Sequence, residues 1–169
     1  MTALTWQTPL AHGALGAAIM LLVFASVHDV VARTVPNLMA IALAATSLLV
    51  GAMAGHLLGG VVAGTIIFLF AVFCWKRGWM GGGDVKLMGA AGLALTPAVV
   101  PLYLAAVSIA GGGIAMVYLF GRLFLKAPAS ARPGGFVPRV LRVERWRMSR
   151  GGPLPYACAI AAGTMFVLL

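Results

Sequence analysis

Acidic side chains are almost missing from this chain. Among 169 residues only Asp29, Asp84 and Glu144 carry a carboxylate, against twelve lysines and arginines. Charged residues amount to 9%, where an ordinary soluble domain carries about 25%. Cysteine is scarce too: Cys74 and Cys158 lie in or beside apolar runs, without C-x-x-C or zinc spacing, and read as buried thiols. Of the three histidines, His56 reads as a solvated turn residue, and His12 and His28 have no clear nucleophile partner for a Ser-His-Asp set. A metal site would need more than two carboxylates and a histidine, so no metal and no cofactor is expected. The glycine run at 81–83 lacks the G-x-x-x-x-G-K-[ST] order of a phosphate loop. No Lys or Arg precedes the first apolar run, which therefore reads as a retained span rather than a secretory signal.

What the chain has instead is apolar length. Hydrophobic residues make up 62% of it, and the mean hydropathy is +1.05. These values exclude a soluble globular protein and indicate one membrane-embedded domain over 1–169. The first apolar run, 11–29, ends in His28-Asp29, and Val35-Pro36-Asn37 breaks the helix, with Asn37 placed to cap the next one. Residues 38–75 contain no Asp, Glu, Lys or Arg. As one helix they would reach about 57 Å, against a hydrocarbon core of roughly 30 Å. They must fold back, and the glycine cluster from Gly55 to Gly60 marks the turn, giving spans at 38–55 and 58–75. Gly51, Gly55 and Gly59, and then Gly60 and Gly64, have the small-xxx-small spacing of closely packed helices. By the same length argument residues 87–121 divide at Thr96-Pro97 to Pro101, giving spans at 84–98 and 101–121. Gly111-Gly112-Gly113 reads as a packing notch. A last apolar segment covers 153–169. The expected fold is all-α, a polytopic protein with six transmembrane helices.

The basic residues then set the topology. Arg33, the group Lys76, Arg77 and Lys86, and a basic loop at 122–152 are separated by two spans each time, so they share one side. The positive-inside rule makes that side the cytoplasm, with both termini outside. The net charge of +9 is thereby explained without nucleic acid as a partner. Within 122–152, Val137, Val140, Leu141 and Met148 fit one helical face, as in a helix on anionic lipid. Arg145-Trp146-Arg147-Met148 reads equally as a solvated basic loop.

This topology brings Asp29 and Asp84 to the same face. An ionised carboxylate at the bilayer centre costs about 2.5–3.5 kcal/mol on insertion scales, so such a residue implies function. Alone, Asp84 is explained as a helix cap and Asp29 as a partner of Arg33 at i+4. Those explanations leave unexplained why the two membrane-associated acids converge. Two carboxylates a few ångströms apart share a proton; the ionised one can activate a water while the protonated one polarises a scissile carbonyl. Gly81 and Gly83 would let an extended substrate backbone approach. Arg33 and Lys86 are accounted for by topology, though their charge could also tune a neighbouring carboxylate. The rival from another class is a non-catalytic scaffold or a small ion- or proton-coupled transporter using both acids as an ion site. Against it stand the lack of an inverted repeat and the placement of the acids at one face rather than the midplane.

Three segments also resemble the type IV prepilin peptidase family, the GxGD aspartyl proteases of bacterial membranes. Gly81-Gly82-Gly83-Asp84-Val85-Lys86-Leu87 is similar to its G-x-G-D-x-K motif. Asp29 through Arg33 to Pro36-Asn37 is similar to its first motif, with Val35 in place of the usual isoleucine. Residues 155–163 resemble its closing P-Y-G-x-A-I-A-A-G segment, with Ala157 in place of glycine. The resemblance implies Asp29 and Asp84 as the catalytic pair and Gly81, Gly83, Lys86, Arg33, Pro36 and Asn37 as supporting or substrate-binding residues. It also implies a prepilin substrate, cut at the cytoplasmic face of the bacterial inner membrane. Larger members carry an insert with paired C-x-x-C motifs and also methylate the new N-terminus. Only a few residues join the first two spans here, so peptidase activity without N-methylation is expected, on Flp-type pilins or pseudopilins as in tight-adherence systems.

Overall fold

The computed structural model describes residues 9–124, 134–150 and 154–169. Among them the chain is helical, with no strand: α1 Pro9–Ala32, α2 Asn37–Met53, α3 Leu57–Lys76, α4 Gly82–Gly92, α5 Val100–Phe124, α6 Phe136–Arg150 and α7 Tyr156–Leu168. A 3-10 turn, Pro97–Val99, leads into α5. The segments α1, α3 and Pro97–Phe124 are long and apolar enough to cross a membrane; α2 and α7 are apolar but shorter.

The turns follow from local chemistry. At the end of α2 the chain reverses through Gly55, whose φ of +75° only glycine adopts freely. His56 N–H reaches back to Gly51 C=O at 2.9 Å and Gly55 N–H to Ala52 C=O at 3.1 Å, which satisfies carbonyls the helix leaves open. The end of α3 repeats this arrangement through Gly78 at φ +74°, with Trp79 N–H on Cys74 C=O at 3.0 Å. The α1 end differs. Arg33 takes the left-handed position, φ +55°, and its N–H donates to Asp29 C=O at 2.8 Å. That conformation costs a non-glycine residue roughly 1–2 kcal/mol.

α4 lies at the centre, packed on α2, α3 and α7, while α1 packs on α2 and α7, and α5 on α6 and α7. Leu87, Met88, Gly89, Ala90, Ala91 and Gly92 are all buried, as expected of a helix apolar on every side. The close packing expected of Gly60 and Gly64 is present: a Cβ on Gly64 would lie 2.7 Å from Leu93 Cδ2, and one on Gly60 would lie 2.2 Å from the Leu93 carbonyl oxygen. The glycine notch of α5 is narrower than expected, for only Gly111 packs, against the Tyr156 ring, while Gly112 and Gly113 face open space.

Two further expectations change. The fourth apolar segment, expected as 84–98, forms a helix only to Gly92. Beyond it Leu93, Ala94 and Leu95 donate to the carbonyls of Ala90, Ala91 and Gly92, a tightening that turns the chain early and seats the Leu93 carbonyl against α3. The stretch at 134–150, left open between loop and lipid-lying helix, contains the helix α6, whose Val137, Val140 and Leu141 line an apolar recess with Val27, Val30 and Val31 of α1. Residues 125–133 and 151–153 of that basic stretch lie outside the described residues.

Candidate active site at one end of the bundle

The C-terminal ends of α1, α3 and α5 and the N-terminal ends of α2, α4 and α7 meet at one end of the bundle, and every described lysine and arginine lies there. Asp29 occupies the last turn of α1 and is buried, at 7% exposure. Its Oδ2 accepts the Ala157 N–H at 3.3 Å. Ala157 lies in the first turn of α7, where amide groups lack helical partners and the helix dipole presents positive charge. The closing 155–163 segment thus supplies a donor to Asp29. Ser26, one turn earlier, fastens the two helices through the Ala157 carbonyl at 3.1 Å.

Asp84 is held differently. It is the third residue of α4, and its Oδ2 accepts the Gly81 N–H at 3.2 Å, so the capping role foreseen for it is real. The glycine run allows the helix to start against the α1–α2 turn, since a Cβ on Gly83 would lie 3.1 Å from Val35 Cβ. Asp84, at the start of α4, thus lies on the turn that follows Asp29, within electrostatic reach of Asp29 and of Tyr156.

The supporting residues divide into two groups. Lys86 Nζ donates to Asn37 Oδ1 at 2.7 Å, joining α4 to the start of α2. Asn37 therefore does not cap α2, where Pro36 occupies the cap position without a side-chain bond. Arg33 forms its ion pair not with Asp29 but with Glu144 of α6, at 2.8 Å. Its Nη2 also donates to the Tyr118 hydroxyl at 2.8 Å, and that hydroxyl donates to Glu144. Arg147 completes the cluster, donating to Glu144 at 2.5 Å and to the Val30 carbonyl at 2.8 Å. Burial opposes ionisation of Glu144, but hydrogen bonds from Tyr118 and Arg147 and the Arg33 charge hold its carboxyl below the usual glutamate range. His28 donates through Nδ1 to Thr34 C=O at 2.7 Å, closing the turn.

Glu144, Tyr118 and the Ala157 amide were not singled out from the sequence. Glu144 alone carried a signal: a lone acid among arginines, on a helix where every other charge is positive. Among the described residues no three His, Cys, Asp or Glu side chains gather as a metal site.

Neither a curated protein nor a solved structure matches the chain. The model of the type IV leader peptidase family matches residues 16–116, more than half of the sequence. That stretch holds Asp29, the turn through Val35 and Asn37, the glycine run and Asp84. The 155–163 segment falls outside it, although its Ala157 amide sits on Asp29. With the match covering both acids and the turn that packs on Gly83, this membrane-embedded chain belongs to the type IV leader peptidase family.

Proposed function

We propose that the protein is an aspartyl endopeptidase that removes the leader of prepilins, with Asp29 and Asp84 as its catalytic pair. Neither carboxylate becomes covalently attached to substrate. One takes a proton from the attacking water and the other gives a proton to the scissile carbonyl oxygen, after which the proton positions reset. The observation that carries this reading is that the start of α4, with Asp84, packs on the turn that follows Asp29, so that two acids distant in sequence lie at one end of the bundle in a chain that has only three. Gly81 and Gly83 leave the backbone beside Asp84 open to an extended peptide, and the Lys86–Asn37 bond fixes the helix carrying Asp84.

In this reading the chain crosses the bacterial inner membrane six times, the fourth crossing made by α4, about 16 Å long, together with the stretch from Leu93 to Val99 that follows it. By the positive-inside rule, the clustered basic residues support a site at the cytoplasmic face with both termini outside. The arginines of α6 meet anionic lipid there. Substrates are Flp-type pilins or pseudopilins, and four residues between α1 and α2 leave no room for a methylating insert. Co-expression with a panel of Flp-type prepilins, read by gel shift and product mass, tests this. Leader loss with an unmethylated N-terminus is expected; intact prepilin across the whole panel would sink the reading.

A further inference from the structure

The α1 helix ends in a way its own sequence does not favour. α2 and α3 close through glycines at positive φ, whereas α1 closes through Arg33 at φ +55°. The residue whose carbonyl receives the Arg33 amide is Asp29. An arginine in that position needs something outside the helix to hold it. Its Nη2 bonds both Glu144 carboxylate oxygens, at 3.0 and 2.8 Å, while its Nε and Nη1 are buried and, among the described residues, have no hydrogen-bond partner. The same carboxylate holds Arg147, which reaches the Val30 carbonyl one residue beyond Asp29. Glu144 is itself buried, at 8% exposure, on a helix whose other charges are all basic.

We propose that Glu144 is a positioning residue for leader cleavage: through Arg33 and Arg147 it fixes the last turn of α1 and thereby the place of Asp29. The proposal rests on the peptidase reading. Glu144 touches neither substrate nor the reacting atoms. Its effect comes through two arginines: Arg147, whose guanidinium bonds the Val30 carbonyl, and Arg33, whose own amide closes the helix on the Asp29 carbonyl. A displacement of the order of 1 Å in a catalytic group can cost about 10²-fold in rate.

The test compares wild type with Glu144→Gln, Glu144→Asp and Tyr118→Phe, and with Arg145→Gln as a control on the exposed side of the same helix. Cleavage of a prepilin is measured for kcat and KM, and amide hydrogen exchange is followed over residues 28–34. Glu144→Gln is expected to lower kcat about tenfold to 100-fold with KM within about twofold, while exchange at Val30 and Arg33 rises. Glu144→Asp should recover part of kcat, Tyr118→Phe should lose less, and Arg145→Gln should match wild type. A merely structural role would lower the melting temperature without splitting kcat from KM. An unchanged kcat in a folded Glu144→Gln protein would overturn the proposal. If wild type cleaves nothing, the peptidase reading fails on its own, and exchange at residues 28–34 still decides whether Glu144 holds the α1 end. Unaltered exchange would overturn that too.

Discussion

The two acids reach the same place by opposite means. Asp84 is placed mainly by its neighbours in sequence, namely a glycine-ended α3, a glycine run and a bond to the Gly81 amide three residues away, with one remote contact, the fit of Gly83 to Val35. Asp29 is placed by residues remote in sequence. The Ala157 amide of α7 holds its carboxylate, and Glu144 of α6 holds the arginine that ends its helix. One half of the site is therefore written locally and the other is assembled by packing. Substitutions near Asp84 should act on the local turn, and those near Asp29 on the bundle as a whole.

The largest test of that contrast lengthens each acid by one methylene. Asp29→Glu and Asp84→Glu should each lower cleavage by more than about 10²-fold, because the reacting oxygens move by the order of 1 Å. Their stabilities should part. Asp29→Glu overpacks a buried position and costs roughly 1–3 kcal/mol, whereas glutamate is a favoured residue at the third position of a helix and Asp84→Glu should unfold close to wild type. Equal stability losses in thermal unfolding would remove the distinction between local and remote placement.

Next in size is the fit at Gly83. A Cβ there meets Val35 at 3.1 Å, so Gly83→Ala should lower cleavage roughly tenfold, by a displacement smaller than that of the lengthened acids. The double variant Gly83→Ala/Val35→Ala should regain most of the loss. Failure of Val35→Ala to rescue would mean that the glycine serves substrate approach rather than the α1–α2 turn. A smaller effect is expected from Lys86→Met, which loses the exposed bond to Asn37; about threefold to tenfold matches the net contribution of a typical solvent-accessible hydrogen bond. Asn37→Ala should match it, and combining the two should add little, since residues sharing one bond are not additive.

The smallest is a pH effect on the remote half. The Glu144 carboxyl titrates below the ordinary glutamate range when folded. Its contribution is therefore complete above that range and fades as the pH falls through the lowered value. The protection of the amides over residues 136–150, corrected for the intrinsic exchange rate at each pH, should fall in wild type as the pH drops below the ordinary glutamate range, and much less so in Glu144→Gln. Equal acid sensitivity in both would assign the change to another group.

Much of the local half was legible in the sequence. Long uncharged runs gave the helices, and Pro36, Gly55 and Thr96-Pro97 gave the breaks, because hydropathy and turn chemistry act within a few residues. The spacing of basic residues sufficed to bring Asp29 and Asp84 to one face. What was not legible came from contacts across the chain. Arg33 reads as a topological charge until Glu144, 111 residues later, is seen beside it. Asn37 reads as a cap until Lys86 takes its side-chain oxygen. The early end of α4 depends on the Leu93 carbonyl meeting Gly60 of α3, a contact that no pattern within 84–98 encodes.

The most direct test of the central claim is leader cleavage by purified protein in lipid vesicles, with wild type, Asp29→Asn and Asp84→Asn compared on one purified prepilin and each product identified by mass. The expected result is cleavage at a single bond by wild type and none by either variant, although both variants fold and insert as wild type does. Cleavage that persisted in a folded Asp29→Asn or Asp84→Asn protein would contradict the paired-carboxylate mechanism.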